Sequence, residues 1–148
     1  MKKLILIPTL LFVLALNLTS CDTGESSSSN ADPQRLINTA KSGTWRIDSY
    51  SDGGTDETSH FTGYNFTFSS SDAVTATNGT VTNTGTWFVR AIPDDEGNPT
   101  ANLQFNLGFT SPVDFQEISY NWYVTSFNGN TIYLVNLTGT DILVLKKN

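Results

Sequence analysis

The stretch Asn102-Leu103-Gln104-Phe105-Asn106-Leu107 decides the fold class. Leu103, Phe105 and Leu107 alternate with three amide side chains. A period of two places one set on each face of an extended chain, so the segment reads as a strand with one buried and one wet face. The pattern recurs along the chain. Trp45 and Ile47 alternate with Thr44, Arg46 and Asp48, and Tyr64, Phe66 and Phe68 alternate with Asn65, Thr67 and Ser69. Val74 and Ala76, Trp87 and Val89, Trp122 and Val124, Ile132 and Leu134, and Ile142 and Val144 continue it.

Eight strands are predicted, over 44–50, 61–69, 73–78, 84–91, 101–107, 120–127, 130–137 and 141–146. Asn78-Gly79 and Asn128-Gly129 suit tight hairpins, where positive φ is needed. No helix of crossover length separates the strands, which disfavours a parallel sheet. A meander that closes on itself removes its own edges. The expected fold is therefore all-β, a small eight-stranded antiparallel up-and-down barrel. Asp32-Pro33 begins a short helix, with Asp as N-cap and Pro in the first turn. Leu36, Ile37 and Ala40 form its apolar side, and Gly43 ends it.

The first residues carry a different message. Met1-Lys2-Lys3 is basic, and residues 4–18 are almost wholly apolar before Leu18-Thr19-Ser20-Cys21. A charged start, a short apolar run and small residues read as a secretory signal peptide. The ending resembles a bacterial lipobox, with the one cysteine of the 148 residues at the lipidated position. A thiol is nucleophilic enough to take a diacylglyceryl group, and cleavage before it frees an amine for another acyl chain. Each buried methylene adds about 0.8 kcal/mol, so two or three chains anchor firmly where one does not. Residues 22–30 have no side chain to bury and read as a flexible tether. The organisation expected is a signal peptide over 1–20, a tether over 21–31 and a barrel domain over 32–148. Asp22 after the cysteine is associated with inner-membrane retention in enteric bacteria, while other phyla sort differently; the expected location is the cell envelope, lipid-anchored, at the outer membrane.

Composition narrows the function. A net charge of −6 disfavours nucleic acid, which needs a basic face. One cysteine excludes an intramolecular disulfide and a cysteine-built zinc site. No serine-nucleophile elbow or phosphate-binding glycine loop appears. The expectation is a non-enzymatic module with no catalytic residue, metal or cofactor. Two polar clusters offer groups for metal binding or acid–base chemistry, and plain solvated loops explain them as well. Asp94-Asp95-Glu96-Gly97-Asn98 offers oxygen ligands without EF-hand spacing. Asp52, Asp56 and Glu57 lie close in sequence to His60, the one histidine.

Ser42-Gly43-Thr44-Trp45 echoes Thr84-Gly85-Thr86-Trp87, and Asn121-Trp122 echoes it in part. The repeat reads as strand-entry geometry, where Gly clears space and Trp plugs the core. Gly43-Thr44-Trp45, at the first strand after a short helix, also resembles the Gly-x-Trp signature of lipocalins. Together with the lipobox, the chain is similar to lipocalin-like lipoproteins of Bacteroidetes. That resemblance implies that loops 51–60, 79–83, 108–119 and 138–140 share a ligand-facing end, with Trp45 as the opposite floor. A small hydrophobic or amphipathic ligand would lie against Tyr64, Phe66, Trp87, Phe105 and Trp122. The other reading has the same aromatics filling a narrow interior, since eight strands leave a lumen just wide enough for either. The partners expected are the lipid membrane through acylated Cys21, and a small hydrophobic ligand or an envelope protein.

Overall fold

The computed structural model of the chain describes residues 32–93 and 102–148. The segments expected to be a signal peptide and a tether, with Cys21, and Asp94–Asn98 lie outside the described residues. The chain enters through helix α1, Pro33–Lys41. Asp32 caps it by accepting from the Gln34 amide at 2.9 Å, with Pro33 in the first turn. Leu36 and Ala40 are buried, and Ile37 packs against the core beside them.

Nine strands follow: β1 Thr44–Asp52, β2 Thr55–Asp56, β3 Asn65–Phe68, β4 Ala73–Thr77, β5 Thr82–Ile92, β6 Asn102–Gly108, β7 Asn121–Phe127, β8 Thr131–Val135 and β9 Ile142–Lys147. From β3 to β9 each strand pairs antiparallel with the next. β1 pairs with both β3 and β9, and this closes an eight-stranded up-and-down barrel. β2 is a two-residue return on β1, outside the closed ring. A short helix, α2 at Val113–Glu117, lies in the connection between β6 and β7.

Strand direction sorts the connections. Residues 53–64, 78–81, 109–120 and 136–141 lie at one end, here called the loop end. The 69–72 and 128–130 turns lie at the other, where β5 ends and β6 begins. α1 packs against β3 and β5 there, and the Trp45 indole donates to the Ala40 carbonyl at 2.8 Å.

Several expected boundaries move, each for a local reason. The strand expected over 61–69 begins only at Asn65. Residues Thr58–Phe61 form a 3-10 turn, and Gly63 takes φ +84°, which turns the chain before it can extend. The strand expected over 130–137 stops at Val135, because the Asn136 side-chain oxygen accepts from the amides of Thr140 and Asp141 and closes a turn. A register shift between Ile47 and Ser49 breaks the strict alternation of β1. It turns Tyr50 inward, where it is 1% exposed. A similar shift between Val124 and Ser126 brings Phe127 to the core.

Candidate functional site: the aromatic interior and its two ends

The inward faces of the strands bring rings together in two groups. Nearest α1, Phe68 meets Trp87 edge-on at 5.0 Å between centroids and Phe105 at 5.4 Å. Trp87 and Phe105, on neighbouring strands, lie 5.7 Å apart. Toward the loop end, Phe66 lies 6.3 Å from Phe109 and 6.0 Å from Phe115. Trp122 sits edge-on to Tyr50 at 6.4 Å. Edge-to-face contacts of this kind add about 0.5–1.5 kcal/mol each beyond area burial.

Phe115 comes from α2, and it is the centre of the loop-end group. Its ring contacts Phe61 at 5.3 Å, Tyr64 at 5.0 Å and Phe109 at 5.0 Å. It is 1% exposed, and Ile118 after it is fully buried. The segment is tied at several points. The Ser119 hydroxyl accepts from the Phe109 amide at 2.7 Å and donates to the Phe115 carbonyl at 2.6 Å. Gln116 donates to the Thr110 carbonyl at 2.7 Å. Tyr50 Oη donates to the Glu117 carbonyl at 3.0 Å. Burial, reinforced by the negative charges of Asp52, Glu117 and Asp141, pushes the Tyr50 phenol well above its ordinary value and keeps it a donor. α2 therefore forms a stopper across the barrel end, bonded to Tyr50 of β1 and to the residues that follow β6.

The five residues expected to line a ligand are placed as follows. Phe66, Trp87, Phe105 and Trp122 are buried in the continuous core, and Tyr64 is half-buried with its ring against Phe115. They divide between the two groups of rings. Tyr50, Phe61, Phe109, Phe115 and Ile118 complete the packing and were not singled out from sequence. The signal for α2 was present in Ser111-Pro112-Val113-Asp114, where Pro and an acidic residue open a helix within an otherwise loop-like stretch.

Polar side chains at the loop end serve the turns. Asp141 is 8% exposed, and its carboxylate accepts from the Gly53 amide at 2.9 Å and from the Asn136 side chain at 2.5 Å. It links the β1–β2 turn to the β8–β9 turn. Asp56 accepts from the Thr58 hydroxyl and amide, which holds its carboxyl below the usual value. Glu57 and His60 form a half-exposed pair at 3.3 Å. Among the described residues, no group of three or more His, Cys, Asp or Glu is placed to hold a metal.

Together these features define a small closed up-and-down β-barrel with a short N-terminal helix and an aromatic interior. No family model matches the chain, and no curated protein matches it. A crystal structure of a DUF4847 family protein from Bacteroides vulgatus is similar, with a TM-score of 0.52 at 16% sequence identity. The match covers 76% of this chain and 97% of that one, and it shows a shared fold.

Proposed function

We propose that the chain is a lipid-tethered envelope module whose barrel is filled, so that it works as a structural or protein-interaction unit through its outer surface. The observation that carries this reading is Phe115, which α2 seats against Phe61, Tyr64, Phe66 and Phe109 across the loop end. A hydrophobic ligand in the lumen would have to displace α2 and separate rings that already satisfy one another, which forfeits close-packed contacts. The exposed apolar side chains support a role for the surface. Val81, Val113, Tyr120 and Leu137 all lie on loop-end connections, with Leu137 78% exposed. Large exposed apolar groups clustered in one region are a common mark of contact with another protein. α1, which follows Cys21 in sequence, packs at the opposite end of the barrel, which supports a reading in which the anchor leaves the loop end available. The anchor itself rests on the lipobox resemblance and the tether composition, and the outer membrane is the proposed location.

Mass spectrometry of the protein purified from its own cells tests both halves of the reading. The expected species begins at Cys21, carries covalent acyl mass and holds no stoichiometric non-covalent lipid. An unmodified terminus elsewhere would reject the anchor. A one-to-one hydrophobic molecule released by organic solvent would reject the filled barrel in favour of a lumen ligand.

A further inference from the structure

The seam between α1 and the barrel holds a cleft of about 120 Å³, separate from the loop end. Its apolar lining comes from Ile37 of α1 with Trp87, Phe88 and Val89 of β5. Two of its lining residues carry charges of opposite sign. Lys41 comes from the last turn of α1, and Asp72 from the turn between β3 and β4. Neither side chain has a hydrogen-bond or ion-pair partner among the described residues, and the two are not paired with each other. The Ser70 hydroxyl adds a neutral polar group beside them.

The wall bearing Asp72 is fixed in place. The Trp87 amide donates to the Asp72 carbonyl at 2.9 Å, and the Trp87 indole donates to the Ser69 carbonyl at 3.0 Å. The Ser69 amide donates to the Ala73 carbonyl at 2.9 Å and closes the turn. Asp72 stands at φ +59°, a left-handed conformation that Gly or Asn would satisfy without any charge. The turn therefore needs no carboxylate at this position, and the carboxylate supplies charge to the cleft. The size is restrictive, because drug-sized ligands occupy roughly 300–1,000 Å³.

We propose that this cleft binds a small zwitterion with an apolar side chain, the chemistry of a free amino acid such as leucine. The ligand carboxylate meets Lys41, its ammonium meets Asp72, and its side chain rests on Ile37, Trp87 and Val89. A zwitterion answers both unpaired charges, whereas a simple anion or cation leaves one of them unanswered. The site lies beside α1, away from the α2 stopper, so it stands independently of the filled-barrel reading.

The test uses the full-length chain in detergent micelles, followed by nitrogen–proton NMR. L-leucine is expected to shift the Trp87 indole resonance and the Ser70 and Asp72 amides saturably, leaving the Trp45 and Trp122 indoles in place. L-leucinamide lacks the carboxylate and 4-methylpentanoate lacks the ammonium. Each should bind about tenfold more weakly or worse, as expected for the loss of one charge-assisted contact. Asp72→Asn tolerates the left-handed turn, and Lys41→Met keeps the aliphatic stem; each should weaken L-leucine by a similar factor. No shift with L-leucine up to its solubility limit would overturn the proposal. Equal binding of the three probes, or shifts centred on Trp45 or Trp122, would overturn it as well.

Discussion

The indole nitrogen of Trp122 donates to the main-chain carbonyl of Ile118 at 2.9 Å. Ile118 caps the C-terminal end of α2, so the start of β7 holds the stopper that covers it. The other two tryptophans do the same at the far end. Trp45 bonds to the Ala40 carbonyl of α1, and Trp87 to the Ser69 carbonyl of the β3–β4 turn. Each large ring fills the interior while its one donor ties down a segment that crosses a barrel end. Replacing Trp122 with Phe removes one of two hydrogen bonds to the Ile118 carbonyl, which still accepts from the Tyr120 amide at 3.1 Å. The expected loss is about 0.5–1.5 kcal/mol for that hydrogen bond, with a further part for the smaller ring. The check is a lower urea midpoint with an unchanged slope.

Phe115→Ala should be more damaging. It removes a ring that is 1% exposed and touches four other aromatics. The expected cost is about 3–5 kcal/mol. The same variant should gain binding of an environment-sensitive naphthalene sulfonate dye at the vacated barrel end. Equilibrium unfolding and dye fluorescence read the two effects separately.

The two Gly-x-Trp sites should respond differently to alanine. A Cβ on Gly85 would stand 2.5 Å from the Gly108 carbonyl oxygen and 2.8 Å from the Phe109 ring. Backbone cannot yield there cheaply, so Gly85→Ala should cost about 1–3 kcal/mol. A Cβ on Gly43 meets the end of the Lys147 side chain at 2.8 Å, which can swing aside. Gly43→Ala should stay within about 0.5 kcal/mol of the parent. Thermal unfolding of the pair distinguishes the two outcomes.

Alkaline stability should depend on Tyr50. Its phenol titrates well above the unfolded value of 10.0, chiefly through burial. Between the unfolded and folded values the unfolded chain holds fewer protons, so stability falls as pH rises. The contribution is complete below about pH 10 and is lost progressively above it. Urea midpoints measured from neutral to strongly alkaline pH should show the decline. Tyr50→Phe should reduce that slope and lower stability at neutral pH, because the Glu117 carbonyl loses its donor.

The barrel was legible because its strands obey a period of two and its hairpins announce themselves. Leu103, Phe105 and Leu107 all point inward as the alternation requires, and each is buried. The Asp32-Pro33 helix was readable from its cap. Alternation fails where the chain breaks register, so Tyr50 went unnoticed: the shift at Ile47 and Ser49 depends on pairing with β9, and no local residue marks it. α2 was hidden for a different reason. Five residues are too few to set a helical period, and the helix is held by tertiary contacts of Phe115 and Ser119. The interior was half legible. The sequence identifies Phe66, Trp87, Phe105 and Trp122 as inward-facing, but whether inward rings line a space or fill it depends on what enters from the loops. The cleft beside α1 joins residues far apart in sequence, and neither Lys41 nor Asp72 belongs to a motif.

On the proposed function, the barrel interior is occupied by its own aromatic side chains. Titrating the domain that begins at Asp32 with a fluorescent long-chain fatty acid, while following tryptophan emission, tests it most directly. Trp45, Trp87 and Trp122 all border the interior, so a molecule entering it would change their emission. The filled barrel predicts no saturable change in either signal; a saturable change that levels off at one equivalent would contradict it.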